Sequence, residues 1–496
     1  MDAIGGILLG FQVALQPINL LFCFIGVLTG TLVGVLPGLG PVAAMSLLLP
    51  TTFHLTPVSA IIMLAGIYYG AMYGGSTTSI LINIPGEAAS VVTCLDGYQM
   101  ARQGRAGPAL GIAAFGSFIA GTLSVIGLML VAPPLARTAL KFGAPEYFGL
   151  ILLGLTTVTF LVSGPMWKSL LMAALGVFLG CVGMDVTGGT PRFTFEIMEL
   201  FDGIGIVPVA MGLFGISEVF LNVEQSMDRS IFETRITSLL PTRSDWASSW
   251  GPILRGAVLG FFLGVLPGGN TAIASFMSYA LERRLSRQPE KFGTGMIAGV
   301  AGPEAANNAA TGGAFIPLLT LGIPTTPVTA LLLGALIIFG VQPGPRLLAE
   351  QPQLFWGIVA SMYLGNIMLL ILNLPLIGIW VRILRVPYSI LFPLILLFCL
   401  VGAFTLNNSM TEVGIMILFG VIGYFFKKWQ YEAAPLILGL VLGPMMELSF
   451  RQSLTMGDGN LLFFFQRPIS ATIMVCALVL LVYPLISWPW NRLTDE

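Results

Sequence analysis

The sequence predicts an all-α, polytopic membrane protein of about ten to twelve transmembrane helices, built as two internal repeats with discontinuous, broken or re-entrant helices. Three observations carry that prediction. Of 496 residues, 56% are hydrophobic and only 9% charged, with a mean hydropathy of +0.91, where a soluble domain carries about 25% charged residues. Apolar stretches of spanning length, about 20 residues, recur along the whole chain. The five residues Gly34-Val35-Leu36-Pro37-Gly38 return identically at Gly264-Val265-Leu266-Pro267-Gly268. Each copy lies inside an apolar stretch that a Pro-Gly pair should interrupt.

So little charge cannot cover the surface of a water-soluble protein of this length, so the solvent is largely the lipid bilayer. The net charge is −1 and the basic residues are scattered, which removes nucleic acid as a partner. Cys23, Cys94, Cys181, Cys399 and Cys476 show no paired spacing and read as small hydrophobes. The single histidine, His54, cannot build a metal cluster alone and reads as an interfacial loop residue. Met1 to Pro17 lacks the basic start and cleavage site of a secretory signal and reads as a retained first segment.

In chain order, the apolar stretches fall near 18–36, 57–73, 108–132, 145–163, 166–184 and 203–222. A polar linker over 223–250, with Asp228, Arg229, Glu233, Arg235, Arg243 and Asp245, divides a first membrane repeat (1–222) from a second (251–496). The second half offers 252–281, 312–341, 354–384, 387–405, 411–426, 431–446 and 469–488. Gly34 to Gly264 is an offset of 230 residues, and Ile84 to Ile323 one of 239. Nine extra residues therefore lie between the breaks of the second half, and the polar excursion Glu282 to Lys291 is the place for them. Arg283 to Lys291 is the densest basic loop, with Arg102 and Arg105 as its counterpart; both should be cytoplasmic by the positive-inside rule. The linker shares that side only if 252–281 turns back as a hairpin at Pro267-Gly268. Charge counts leave inverted and parallel repeats both open.

Duplicated membrane segments broken at corresponding places point to a transporter's binding site. The first polar cluster is Gly74-Gly75-Ser76-Thr77-Thr78-Ser79 followed by Asn83-Ile84-Pro85-Gly86-Glu87. Hydroxyls, small residues and the free amides of a helix start after proline suit an anion; helix packing by small residues is the competing reading. In the second cluster, Glu304, Asn307, Asn308 and Thr311 fall at i, i+3, i+4 and i+7, giving one polar helix face. The break Gly322-Ile323-Pro324-Thr325-Thr326-Pro327 follows. The candidate substrate residues are therefore Gly38, Gly75, Ser76, Thr77, Thr78, Ser79, Asn83 and Pro85, with Gly268, Asn270, Asn308, Thr311, Pro324, Thr325 and Thr326 from the second half. Glu304 and Asn307 are the candidate site for a coupling ion, Na⁺ or H⁺; an intramembrane carboxylate is a functional candidate by default, against the alternative of a helix-start charge after Pro303. Glu218 and Asp185 read as interfacial, and Lys427-Lys428 as an interfacial anchor. No Walker A, His-Glu-x-x-His or Gly-x-Ser-x-Gly pattern occurs, so neither an ATP-driven pump nor an enzyme is expected. An anion channel or another ion-conducting protein is the alternative to a carrier.

At these residues the chain resembles the large membrane subunit (TctA) of the tripartite tricarboxylate transporter family. The matching stretches are Gly34 to Pro41, Tyr68-Tyr69-Gly70 through Gly74–Glu87, Asp96-Gly97-Tyr98-Gln99-Met100-Ala101 and Gly104-Arg105-Ala106-Gly107. In the second half they are Phe292-Gly293-Thr294-Gly295, Gly302 to Ala309, and Ile316-Pro317 to Pro324. Thr325-Thr326 departs from it, since the Ile-Pro motif is expected to continue with Gly. The resemblance implies a multi-pass permease of the bacterial inner membrane that imports citrate-like di- or tricarboxylates by Na⁺ or H⁺ symport. It also implies a small membrane subunit and a periplasmic solute-binding protein as partners, and no permanently bound cofactor.

Overall fold

The computed structural model describes residues 3–36, 39–161, 165–185, 187–224, 239–266, 268, 270–383 and 388–491. The first half runs α1 (Ala3–Ala14), α2 (Pro17–Val35), α3 (Gly40–Leu48), α4 (Pro57–Ile82), the short α5 (Val91–Thr93) and α6 (Gln99–Arg102), α7 (Ala106–Ala139), α8 (Ala144–Leu161) and α9 (Met166–Gly180). A small antiparallel hairpin, β1 (Gly183–Met184) and β2 (Pro191–Arg192), precedes α10 (Ile206–Ala210) and α11 (Ser217–Glu224). The second half runs α12 (Arg243–Val265), α13 (Thr271–Leu285), α14 (Ala298–Gly313), α15 (Phe315–Leu321), α16 (Pro327–Ile338), α17 (Leu347–Glu350) and α18 (Pro352–Asn373). It closes with α19 (Ile377–Ile383), α20 (Tyr388–Asn407), α21 (Met410–Lys428), α22 (Ala434–Met456), α23 (Phe463–Gln466) and α24 (Pro468–Asn491). Seven helices are long and apolar enough to cross a membrane among the described residues, alongside shorter apolar ones.

Glycines set the packing of the two central helix pairs. In α2, a Cβ on Gly26, Gly30 or Gly34 would overlap the carbonyls of Met63, Ile67 and Ala71 in α4. In α12, Gly256, Gly260 and Gly264 stand in the same way against Gly302, Ala306 and Ala310 of α14. Glycines four apart share one helix face, and close backbone approach replaces the hydrophobic drive that lipid does not provide. The contacts advance together along both helices, so α2 runs parallel to α4, and α12 to α14. A parallel pair needs a return segment, which α3 and α13 provide. The glycine offsets are 230 residues and the carbonyl offsets 239, matching the spacings between the sequence breaks. The extra length lies in α13 and the loop after it, as α3 has 9 residues and α13 has 15.

The stretch 252–281 thus turns back, rather than crossing as one span, and this settles which segments share a face. Arg105 pairs with Asp245, Arg255 holds Glu282 through two bonds of 2.8 and 2.6 Å, and Gln103 donates to the Thr294 carbonyl at 2.7 Å. Arg102, Arg105, Arg243, Arg283, Arg284, Arg287 and Lys291 accordingly gather on one basic face. α12 begins inside the stretch that composition reads as linker, because Thr242 and Asp245 form a capping box; linker residues 225–238 lie outside the described residues. Ser76 meets Glu304, whereas Ile80, one turn further, adjoins Gly97, which borders Val300. α4 and α14 therefore run in opposite directions.

The halves interlock around this centre. Ser124 of α7 donates to the Ala309 carbonyl of α14 at 2.9 Å, and Gly365 of α18 packs on Tyr69 of α4. Outside them, Gly176 of α9 abuts the Leu436 carbonyl of α22, and Gly212 abuts the Met416 carbonyl of α21.

Candidate functional site

Both breaks are built alike. α4 ends at Asn83 with φ of 57°, and α15 at Gly322 with φ of 70°, the left-handed conformation that closes a helix. Ile-Pro follows in each, and a residue before proline is driven out of the helical region. Each chain then re-enters helix through a capping box, Glu87 with Ser90 and Thr326 with Thr329, again 239 residues apart. The return-hairpin tips meet these breaks. Gly86 lies so close to Gly75 and to the Gly34 carbonyl that a Cβ would sit 2.5 Å from that oxygen. Gly268, with φ of 76°, donates to the Thr325 carbonyl at 3.3 Å and has room for no Cβ against the Thr157–Val158 backbone.

The four helix starts open on one cavity of about 450 Å³. Gly40 and Pro41 begin α3, Glu87 and Ala88 begin the helical run up to Arg102, Asn270 and Thr271 begin α13, and Thr326 and Pro327 begin α16. Asn270 caps α13 by accepting the Ile273 N–H at 3.0 Å. Every helix start leaves up to four amides without intrahelical partners and carries roughly half a positive charge. Several starts aimed at one space make an anion site.

Of the candidate substrate residues, Pro85, Asn270 and Thr326 border this cavity. Gly75 touches it indirectly, packed against Glu87. The hydroxyl tract does not border it. α4 continues helically through Ser76–Ser79 because hydroxyls can bond backward: Thr78 and Ser79 both donate to the Gly75 carbonyl, at 2.8 and 3.0 Å. Thr77 borders a small void with Tyr73, Ser117 and Asn373. Asn83 and Pro324 shape the breaks, and Thr325 is buried with its hydroxyl unpartnered. Gly38 lies outside the described residues, as do Pro37 and Pro267.

One hydroxyl of the tract, that of Ser76, serves a second place, around Glu304. α14 begins at Ala298, so this carboxylate sits mid-helix rather than at a helix start, and it is 1% exposed. Ser76 Oγ donates to its Oε2 at 2.6 Å and Thr93 Oγ1 donates to its Oε1. Asn308 Nδ2 donates to Ser117 Oγ at 2.7 Å and to the Glu304 carbonyl at 3.1 Å; Thr311 bonds back to the Asn307 carbonyl. Asn307 is 1% exposed and neither atom of its amide has a hydrogen-bond partner. A buried orphan amide one helical turn from a buried carboxylate is unusual, since nearly all buried polar groups are paired. Carboxylate, hydroxyl and amide oxygens together suit a hard cation. Among the described residues no three His, Cys, Asp or Glu side chains cluster as a metal centre.

Sequence reasoning missed two features. Asp96 is fully buried and gathers the Gly293, Gly295 and Met296 amides on Oδ1 at 2.7 to 2.9 Å, with Tyr279 OH on Oδ2 at 2.9 Å. It pins the run that carries Thr93. Lys427 and Glu218, read from sequence as interfacial, pair with each other on the cavity wall beside Glu432. Lys428 instead pairs with Glu224 at 2.8 Å. Two neighbouring lysines at a helix end carry no sequence signal that tells which one faces inward.

A helical membrane protein whose two discontinuous helices end at one anion-suited cavity, with a buried carboxylate beside it, has the architecture of a transporter. The chain belongs to the tripartite tricarboxylate transporter TctA family, whose profile matches residues 20–438, and it is a membrane transporter subunit of that kind. It is 51% identical over 486 residues to a protein of Agrobacterium vitis described as the uncharacterized 52.8 kDa protein in the TAR-I ttuC' 3' region, covering 98% of this chain and 97% of that one. A second Agrobacterium vitis protein, from the TAR-II ttuC' 3' region, is 49% identical over 227 residues, covering 46% of this chain and 94% of that one. No solved structure matches the chain.

Proposed function

We propose that this chain is the permease through which a citrate-like di- or tricarboxylate enters the cell by cation symport across the bacterial inner membrane. A small membrane subunit and a periplasmic binding protein would complete the system. The observation that carries the reading is the convergence of the starts of α3, α13 and α16 on one cavity. Those amides bind and orient a carboxylate without a buried counter-charge. Glu304, Asn307, Ser76 and Thr93 would hold the coupling ion, Na⁺ or H⁺, which would offset the substrate's negative charge during transport.

Gly75 and Ser76 link the two places: Gly75 packs on cavity-lining Glu87, and Ser76 bonds to Glu304. Occupancy at either place therefore acts on the same turn of α4. The constant offsets, 230 residues for the α2 and α12 glycines and 239 for the carbonyls they meet, the breaks and the capping boxes, support reading the central helix pairs as repeats. The opposed directions of α4 and α14 support an inverted relation, the arrangement suited to alternating access. With the basic face cytoplasmic by the positive-inside rule, α2 and α4 enter from the periplasmic side.

The test is uptake of labelled citrate into proteoliposomes, with and without a Na⁺ or proton gradient and with and without the partner subunits. Saturable uptake that requires a gradient is expected. Current at channel-like rates from the purified chain, or uptake indifferent to both gradients, would overturn the symport reading.

A further inference from the structure

We propose that Lys427 is the specificity residue for a second carboxylate of the substrate, and that Glu218 holds its place when the cavity is empty; this rests on the carboxylate reading above. Lys427 is the only Lys or Arg among the described residues that line the cavity. Its ammonium pairs with Glu218, the two side chains being 31% and 18% exposed. Ion pairs that keep contact with water are only weakly favourable, and a substrate carboxylate presents the same two oxygens as the Glu218 side chain.

Glu87 is turned to its own backbone, accepting the Ala89 and Ser90 amides at 2.6 and 3.1 Å. Glu432 lines the wall close enough to Lys427 to feel its charge. Without Lys427, the wall would face a dianion with Glu218 and Glu432 and repel it. Helix starts suffice for one carboxylate; a second one reaching the scaffold side meets only this lysine. Glu218 and Lys427 belong to α11 and α21, outside the hairpins and breaks. A dicarboxylate bound to both would bridge the helix starts to the surrounding helices, whereas a monocarboxylate would not.

Direct binding of succinate, citrate and butyrate to the purified membrane subunits, followed calorimetrically, tests this. Lys427→Gln should weaken succinate and citrate by at least about tenfold, the loss of a charge-assisted contact, while leaving butyrate within about twofold. Lys427→Arg should retain most of the affinity, and Glu218→Gln should tighten dianion binding by freeing the lysine. Opposite signs for Lys427→Gln and Glu218→Gln are the signature, and Glu218→Gln decides the matter if Lys427→Gln does not fold. An unchanged ratio of dianion to monoanion affinity in both variants overturns the role of Lys427 alone. Absence of carboxylate binding in the unmodified protein overturns the carboxylate reading itself.

Discussion

Replacing Asp96 with Ala takes away the acceptor shared by three backbone amides of the loop after α13 and by the Tyr279 hydroxyl. A hydrogen bond to a charged acceptor contributes about 1.5–3 kcal/mol when its loss leaves the donor dry. Gly293 and Thr294 are exposed, so water can replace part of what is lost, and a total of about 2–4 kcal/mol is the consistent expectation. That corresponds to roughly 30- to 1000-fold more frequent local opening. Hydrogen exchange reads such opening directly, and the Gly293, Gly295 and Met296 amides should lose that much protection in Asp96→Ala. Asp96→Asn keeps Oδ1 for the three amides but loses the charge and the Oδ2 that accepts from Tyr279, so about half the effect is expected at 293–296. Because Asp96 lies one turn beyond Thr93, uptake should fall alongside protection. Exchange at 293–296 unchanged within about threefold would refute the clasp and, with it, the account of how Thr93 is kept on Glu304.

The remaining predictions separate packing from function. Asn308→Ala removes two hydrogen bonds and should lower the melting temperature in detergent, by about 1–3 kcal/mol of stability. Asn307→Ala removes none and should leave melting nearly unchanged while lowering uptake; normal uptake kinetics there would end its assignment to the coupling ion. Gly34→Val or Gly264→Val forces side-chain atoms into the Ala71 or Ala310 carbonyl and should destabilise by about 1–3 kcal/mol or more, whereas Gly414→Ala, with nothing within 4 Å of its Cβ position, should not. The Thr187 amide and the Arg451 guanidinium hold the Asp185 carboxyl below its usual 3.8, outweighing the opposing effect of burial. A depressed folded-state pKa gives stabilisation that is complete above the unfolded value and is lost as pH falls through the folded one. Exchange protection of the β1–β2 hairpin should thus be flat from about pH 5 to 8 and decline only below pH 3.8; a decline near neutrality would show that another group controls it.

Much of this protein is written in local chemistry. Low charge and apolar runs determine that the chain lies in lipid. Pro and Gly determine where helices must stop, since they act on their own backbone and that of their immediate neighbours: both breaks and both return turns sit where the repeated motifs place them. The polar face Glu304, Asn307, Asn308, Thr311 follows from the 3.6-residue helical period and is one continuous helix in the structure. Partners distant in sequence are another matter. A serine or threonine hydroxyl can satisfy itself on the carbonyl four residues back or on a remote carboxylate, and the sequence is the same in both cases. Only the opposed directions of α4 and α14 decide that Ser76 serves Glu304, 228 residues away, while Thr78 and Ser79 turn back on their own helix. In the same way the rotation of α21 alone turns Lys427 to the cavity and Lys428 away. Backbone breaks are local properties and are legible in the sequence; the chemistry they frame depends on which faces packing brings together, and that is decided by the tertiary structure.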